Sequence, residues 1–83
     1  MGEPVRVSRR QIINRIREAG WCFKRKAKMV EIWMIRGTPR RMNLPTKNSF
    51  PVSAVGAILS QAGLNAEEIE AFLKESIKEA KRP

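Results

Sequence analysis

Residues 20–35, GWCFKRKAKMVEIWMI, decide how this chain folds, because they hold both tryptophans, the densest run of cations and the clearest strand pattern. Side chains alternate along a strand, so Trp21, Phe23 and Arg25 are expected on one face and Cys22, Lys24 and Lys26 on the other. Lys24, Arg25, Lys26 and Lys28 crowd into the reversal that follows. In the second strand Val30, Ile32 and Met34 share one face, while Met29, Glu31, Trp33 and Ile35 share the other. Together the two strands predict an antiparallel hairpin. Neither Ala27 nor Lys28 is a favoured tight-turn residue, so a longer loop should join them.

Working outward, Met1 to Val7, with Pro4, reads as a short arm whose Val5 and Val7 can pack or pair at an edge. Ser8 caps a helix in which Ile12, Ile13, Ile16 and Ala19 recur on one face, with Arg9, Arg10, Asn14, Arg17 and Glu18 turned outward. Gly20 ends it by supplying a left-handed residue. Downstream of the hairpin, Arg36-Gly37-Thr38-Pro39 marks a turn, and residues 40–45 form a third strand that buries Met42 and Leu44 and stops at Pro45. Residues 46–52 read as a loop anchored by Phe50. Ser49 and Ser53 both suit the next helix start; Ser53 is preferred because Val55, Ile58, Leu59 and Ala62 then form one stripe. After Gly63, Asn65 and Glu68 form a capping box, Leu64 and Ile69 a hydrophobic staple, and Ile69, Phe72, Leu73, Ile77 and Ala80 a buried face. Glu70 and Lys74 make a favourable i,i+4 pair. The order predicts an α+β domain of the kind that binds double-stranded RNA: a helix, a three-stranded antiparallel sheet and two C-terminal helices.

With 83 residues the chain makes one domain with a single core and little room for an enclosed active site. Its formal charge is +9 and its pI about 10.9. Residues 1–48 hold thirteen Lys and Arg against three Glu, whereas residues 49–83 hold four against five. An excess so concentrated points to a polyanion or an acidic protein surface as partner. Cys22 is the lone cysteine and there is no histidine, so neither an internal disulfide nor an ordinary zinc set is available, and no metal or cofactor is expected. No apolar run reaches the ~18–20 residues of a membrane span, and the N-terminus has no apolar segment of a signal peptide. A soluble cytoplasmic protein is the expectation.

Several segments are similar to one family. The helix opening SRRQIINRIREAGW, the strand after it, the turn ending in Arg36-Gly37, the Leu44-Pro45 strand and the segment ILSQAGLNAEEIEAFL resemble the HicA (YcfA-like) toxins over roughly residues 8–73. Ala19-Gly20-Trp21 and residues 58–64 carry most of the likeness. The resemblance implies a fold like that of double-stranded-RNA-binding domains, a ribonuclease toxin that cleaves mRNA, and a HicB antitoxin as partner. It also implies a catalytic histidine near the start of the second strand, in a Gly-Ser-His or Gly-Lys-His motif. This chain departs there: the family's histidine position falls on Val30 or Glu31, and the glycine before it is gone.

Metal-free RNA cleavage needs one group to take the proton of the 2′-hydroxyl and another to protonate the leaving oxygen, work that imidazole suits because it titrates near neutral pH. Without it, Glu31 is the nearby candidate base, and an exposed strand carboxylate paired with a neighbouring Lys or Arg is its structural alternative. Trp33 is placed to stack on an unpaired base or to join the core or an interface. Trp21 and Phe23 read as core, and Cys22 as an inert, at least half-buried thiol. Arg9, Arg10, Lys24, Arg25, Lys26, Lys28, Arg36, Arg40 and Arg41 are expected to converge on one side as an RNA-binding patch. Three functions compete: an RNA-binding HicA-like protein with its nuclease activity lost or moved, a non-catalytic module binding a HicB-like antitoxin, and a DNA-binding helix-turn-helix over residues 54–73. The last is disfavoured by Glu67, Glu68 and Glu70, which open its recognition helix and repel phosphate.

Overall fold

The computed structural model describes residues 6–80, with side chains through Lys78. Of the expected N-terminal arm, Met1 to Val5 lies outside the described residues, as does the side chain of Ala80. Strand β1 (Arg6–Ser8) runs straight into helix α1 (Arg9–Glu18). The switch is made by Ser8, whose Oγ accepts from the Gln11 amide at 3.2 Å while its own amide donates to Gln11 Oε1 at 3.1 Å. This closed capping box satisfies donors that the helix start leaves open. Ala19 caps the other end, and Gly20 follows with φ +100°, the backbone state the sequence assigned to it.

Strands β2 (Trp21–Lys26), β3 (Val30–Ile35) and β4 (Arg41–Pro45) form the antiparallel sheet in the order β2-β3-β4. The β2–β3 loop at 27–29 is closed by the Ala27 amide donating to Val30 O at 2.8 Å. One irregularity overturns the simple alternation. Phe23 pairs with Trp33 and Arg25 with Ile32, so Lys24 is the extra residue of a bulge. Arg25 therefore shares a face with Cys22, and Lys26 lies opposite Glu31 on the face of Phe23 and Trp33. A bulge re-aims every side chain beyond it, and here it exchanges two cations between faces.

The segment expected to be a loop before the second helix contains β5 (Ser49–Pro51), which pairs with β1 through Arg6↔Pro51, Val7↔Phe50 and Ser8↔Ser49. Val7 thus pairs at an edge as its sequence context suggested, and Phe50 anchors the segment at 2% exposure. Helix α2 (Val52–Gln61) begins one residue before Ser53, so Ser53 is not its cap; Pro51, with φ −69°, holds that position and no side chain caps the helix. The strand β5 leads into the helix without a break, and the fixed proline φ serves both. Helix α3 (Ala66–Ala80) opens as expected: the Glu68 amide donates to Asn65 Oδ1 at 2.8 Å and the Asn65 amide to Glu68 Oε1 at 3.0 Å.

The core lies between the helices and one face of the three-stranded sheet. Trp21, Trp33, Met42 and Leu44 come from the sheet, Ile12 and Ile16 from α1, Val55, Ile58 and Leu59 from α2, with Val7 and Phe50 beneath. Ile69, Phe72 and Leu73 of α3 pack against it from the side. Trp21 also donates its indole N–H to Ala62 O at 2.9 Å, tying the edge strand to the end of α2. The other sheet face carries Val30, Ile32 and Met34 down its centre, half-buried and without a covering helix, flanked by exposed Cys22, Arg25, Arg41 and Asn43. Cys22 is exposed, not half-buried. No described helix is long and apolar enough to cross a membrane.

Candidate nucleic-acid interface

The face carrying Glu31 and Trp33 is the helix-covered one, and α1 determines what both residues do. Arg9 opens α1 and pairs with Glu31 Oε1. Both side chains are mostly buried, at 18% and 19% exposure, so the pair works in a partly desolvated setting. Trp33 donates its indole N–H to the same Oε1 at 3.2 Å. Two turns along the helix, the Arg17 guanidinium carbon stands 5.7 Å from the centroid of the Trp33 ring, within cation–π range. Arg9, Ile13 and Arg17 recur at four-residue spacing, which is why one flank of α1 reaches both ends of this cluster.

These contacts reassign the sequence candidates. Glu31 is paired with an arginine, as its structural alternative has it, but it lies under α1 and is not the exposed carboxylate expected; its Oε1 already holds two donors, so general-base work there would require breaking an ion pair. Trp33 is 2% exposed and has no face to offer a base. Its place on the surface is taken by Phe23, which the sequence reading put in the core and which is 49% exposed. The reason is position in the sheet. Strand β3 is central and lies under α1, whereas β2 is an edge strand of which only Trp21 is buried. Phe23 packs edge-to-face against Trp33, with centroids 5.8 Å apart and planes at 77°.

The nine candidate cations do not form one patch. Lys24, Arg25, Lys26 and Lys28 lie at the end of β2 and in the loop after it; Lys26 is on the face that meets the start of α1 at Arg9, whereas Arg25 is on the opposite, open face. Arg36 and Arg40, in the β3–β4 connection, and Arg41, which opens β4, lie towards the opposite end, with Lys26 and Arg36 a strand length of roughly 17 Å apart. They are partly occupied by local structure. The Arg40 guanidinium carbon stands 5.5 Å from the Trp21 ring centroid, and Arg41 Nη1 donates to Arg40 O at 2.9 Å and Thr38 O at 3.3 Å. The two ends were indistinguishable by composition, because a meander returns its second turn to the far edge of the sheet.

Among the described residues, Arg10, Arg17, Lys24, Arg25, Lys26 and Lys28 make no ion pair with a carboxylate. The acid that contacts Trp33, Glu31, is already paired with Arg9. The charge at this end is therefore uncompensated, which suits phosphate. By contrast, a groove of ≈ 490 Å³ between α1 and α3 is lined by Glu18, Glu68 and Glu75 with Arg15 as its single cation. Arg15 is held there by Glu68 at 3.4 Å and Glu18 at 3.8 Å, and the remaining negative charge would repel RNA. No group of three or more His, Cys, Asp or Glu able to hold a metal ion occurs among the described residues.

Arg17 and Phe23 stand outside the site residues expected from the sequence. Arg17 was legible from its four-residue spacing with Arg9 and Ile13; the exposure of Phe23 depends on β2 being an edge, which no local signal states. A comparison with protein-family models finds no match to this chain, and a comparison with curated proteins finds none either.

Proposed function

We propose that this chain is a HicA-like RNA-binding protein that engages RNA through the α1–β2 edge and lacks the family's histidine-dependent cleavage. The observation that carries this is the set of cations with no carboxylate partner among the described residues, Arg10, Arg17, Lys24, Lys26 and Lys28, on α1, on β2 and in the loop after it, together with one exposed aromatic, Phe23, on the same edge strand. Phosphate contacts supply affinity in such an interface and make it salt-dependent. The engagement of Glu31 by Arg9 and Trp33 supports a binding role over a catalytic one. Fluorescence anisotropy with a labelled mRNA fragment tests the reading. Binding at about 50 mM salt should fall by orders of magnitude towards 200 mM, and Lys24→Glu with Lys26→Glu should abolish it. Absence of binding at low salt removes the proposal. Incubation of wild type and Glu31→Gln with the same RNA should leave it intact in both; cleavage by wild type alone would restore Glu31 as a catalyst.

A second reading rests on the open sheet face. The half-buried stripe of Val30, Ile32 and Met34, bordered by Arg25 and Arg41, fits an apolar protein surface with acidic edges, as a HicB-like antitoxin partner would present. It uses a different face from the RNA reading and is compatible with it. Co-purification from the native host tests it: recovery of the chain alone under gentle conditions counts against a stable protein partner.

A further inference from the structure

We infer that Phe23 is a stacking platform for an unpaired base, so that the bound RNA is single-stranded at this point; the inference rests on the RNA-binding reading above. The phenyl ring is 49% exposed on the helix-side face of an edge strand whose other helix-side aromatic, Trp21, is buried. It is held, not loose. In its edge-to-face pair with Trp33 at 77°, at least one face of the phenyl is left uncovered by the indole. Trp33 in turn is fixed by its hydrogen bond to Glu31 and by burial. A half-exposed aromatic already packed against a buried neighbour is suited to base stacking, since less ordering is left to be done on binding.

Two cations belong to the same cluster as that ring. Arg17 and Phe23 both lie within 6 Å of the same indole. The bulge at Lys24 brings Lys26 onto the sheet face of Phe23, towards the loop, while Arg17 stands over the neighbouring indole, so both cations are offered to a strand of RNA that passes over the ring. An exposed phenyl with two cations that make no ion pair with a carboxylate matches the repeating chemistry of a single-stranded backbone, a base flanked by phosphates. A duplex offers phosphates but keeps its bases stacked inside, so it can use the cations and not the ring.

The test compares a short fluorescein-labelled single-stranded RNA with the blunt duplex of the same sequence, using the full chain carrying Phe23→Ala, Phe23→Leu or Phe23→Trp. Single strands should bind tighter than the duplex. Phe23→Ala and Phe23→Leu should each weaken single-strand binding by roughly 5- to 150-fold and leave duplex binding unchanged, while Phe23→Trp retains affinity and shows quenched tryptophan emission on binding. Leu keeps the apolar volume, so its loss of affinity separates stacking from packing. If Phe23→Leu binds single strands as well as wild type, or the duplex binds equally well, the stacking platform is refuted and RNA binding stands. If neither RNA binds wild type at low salt, both fall.

Discussion

Glu31→Ala should destabilise the domain far more than removal of an ordinary surface carboxylate. Two donors lose their shared acceptor: the Arg9 guanidinium, whose side chain is 18% exposed, and the indole N–H of Trp33, a residue 2% exposed. Orphaning a buried donor costs about 1–3 kcal/mol, and breaking a fully buried ion pair about 3–5 kcal/mol. Because about a fifth of each charged side chain meets water, the orphaned guanidinium regains part of its hydration, and a total of about 2–3 kcal/mol follows. For a chain of 83 residues this lowers Tm by roughly 10–20 °C. Glu31→Gln keeps an oxygen acceptor in place and should cost only about 1 kcal/mol. Urea denaturation followed by far-UV circular dichroism and tryptophan fluorescence gives both values, and a double-mutant cycle with Arg9→Ala should return a coupling of about 1–2 kcal/mol. A loss under ~0.5 kcal/mol for Glu31→Ala, or an additive cycle, would refute the structural role and release the carboxylate for chemistry.

Three further outcomes follow from single contacts. Leu44→Ala removes a fully buried β4 side chain and should cost about 2–5 kcal/mol in urea denaturation; a cost under ~1 kcal/mol would mean that β4 does not seal the core. Gly63→Ala forces an L-residue to φ +93° with its Cβ 3.1 Å from Arg40 Nη2, and should cost about 1–2 kcal/mol, whereas an unchanged urea midpoint would contradict that backbone geometry. Lys26→Ala should reduce the slope of log K against log salt by about 1 while Arg36→Ala leaves it unchanged, and equal effects of the two would place the RNA elsewhere.

Much of this fold is written locally. Ser8 with Gln11, Asn65 with Glu68, and Gly20 after Ala19 are signals within four residues of each other, and each forms the contact its pattern implies. The stripe of Val55, Ile58, Leu59 and Ala62 is buried for the same reason: helical period alone selects one face. What the sequence does not display is whatever depends on partners distant along the chain. The bulge at Lys24 arises from the register of β2 on β3, and it decides that Lys26, not Arg25, joins the Phe23 face. Strand β5 exists because Phe50 lies opposite Val7, more than forty positions earlier. The candidate site suffers most from this, since edge or centre, covered or open, is a tertiary property; Trp33 and Phe23 exchange roles on that account alone. Glu31 was legible as paired or catalytic, and only the approach of Arg9 decides between them.

RNA should meet this chain at the α1–β2 edge around Phe23, and amide chemical-shift mapping with a short single-stranded RNA reads that location directly. Perturbations should cluster at Arg9, Arg10, Arg17 and the run from Phe23 to Lys28, leaving Arg36, Arg40 and Arg41 unmoved. Shifts confined to the β3–β4 connection, or none at saturating RNA in low salt, would contradict it.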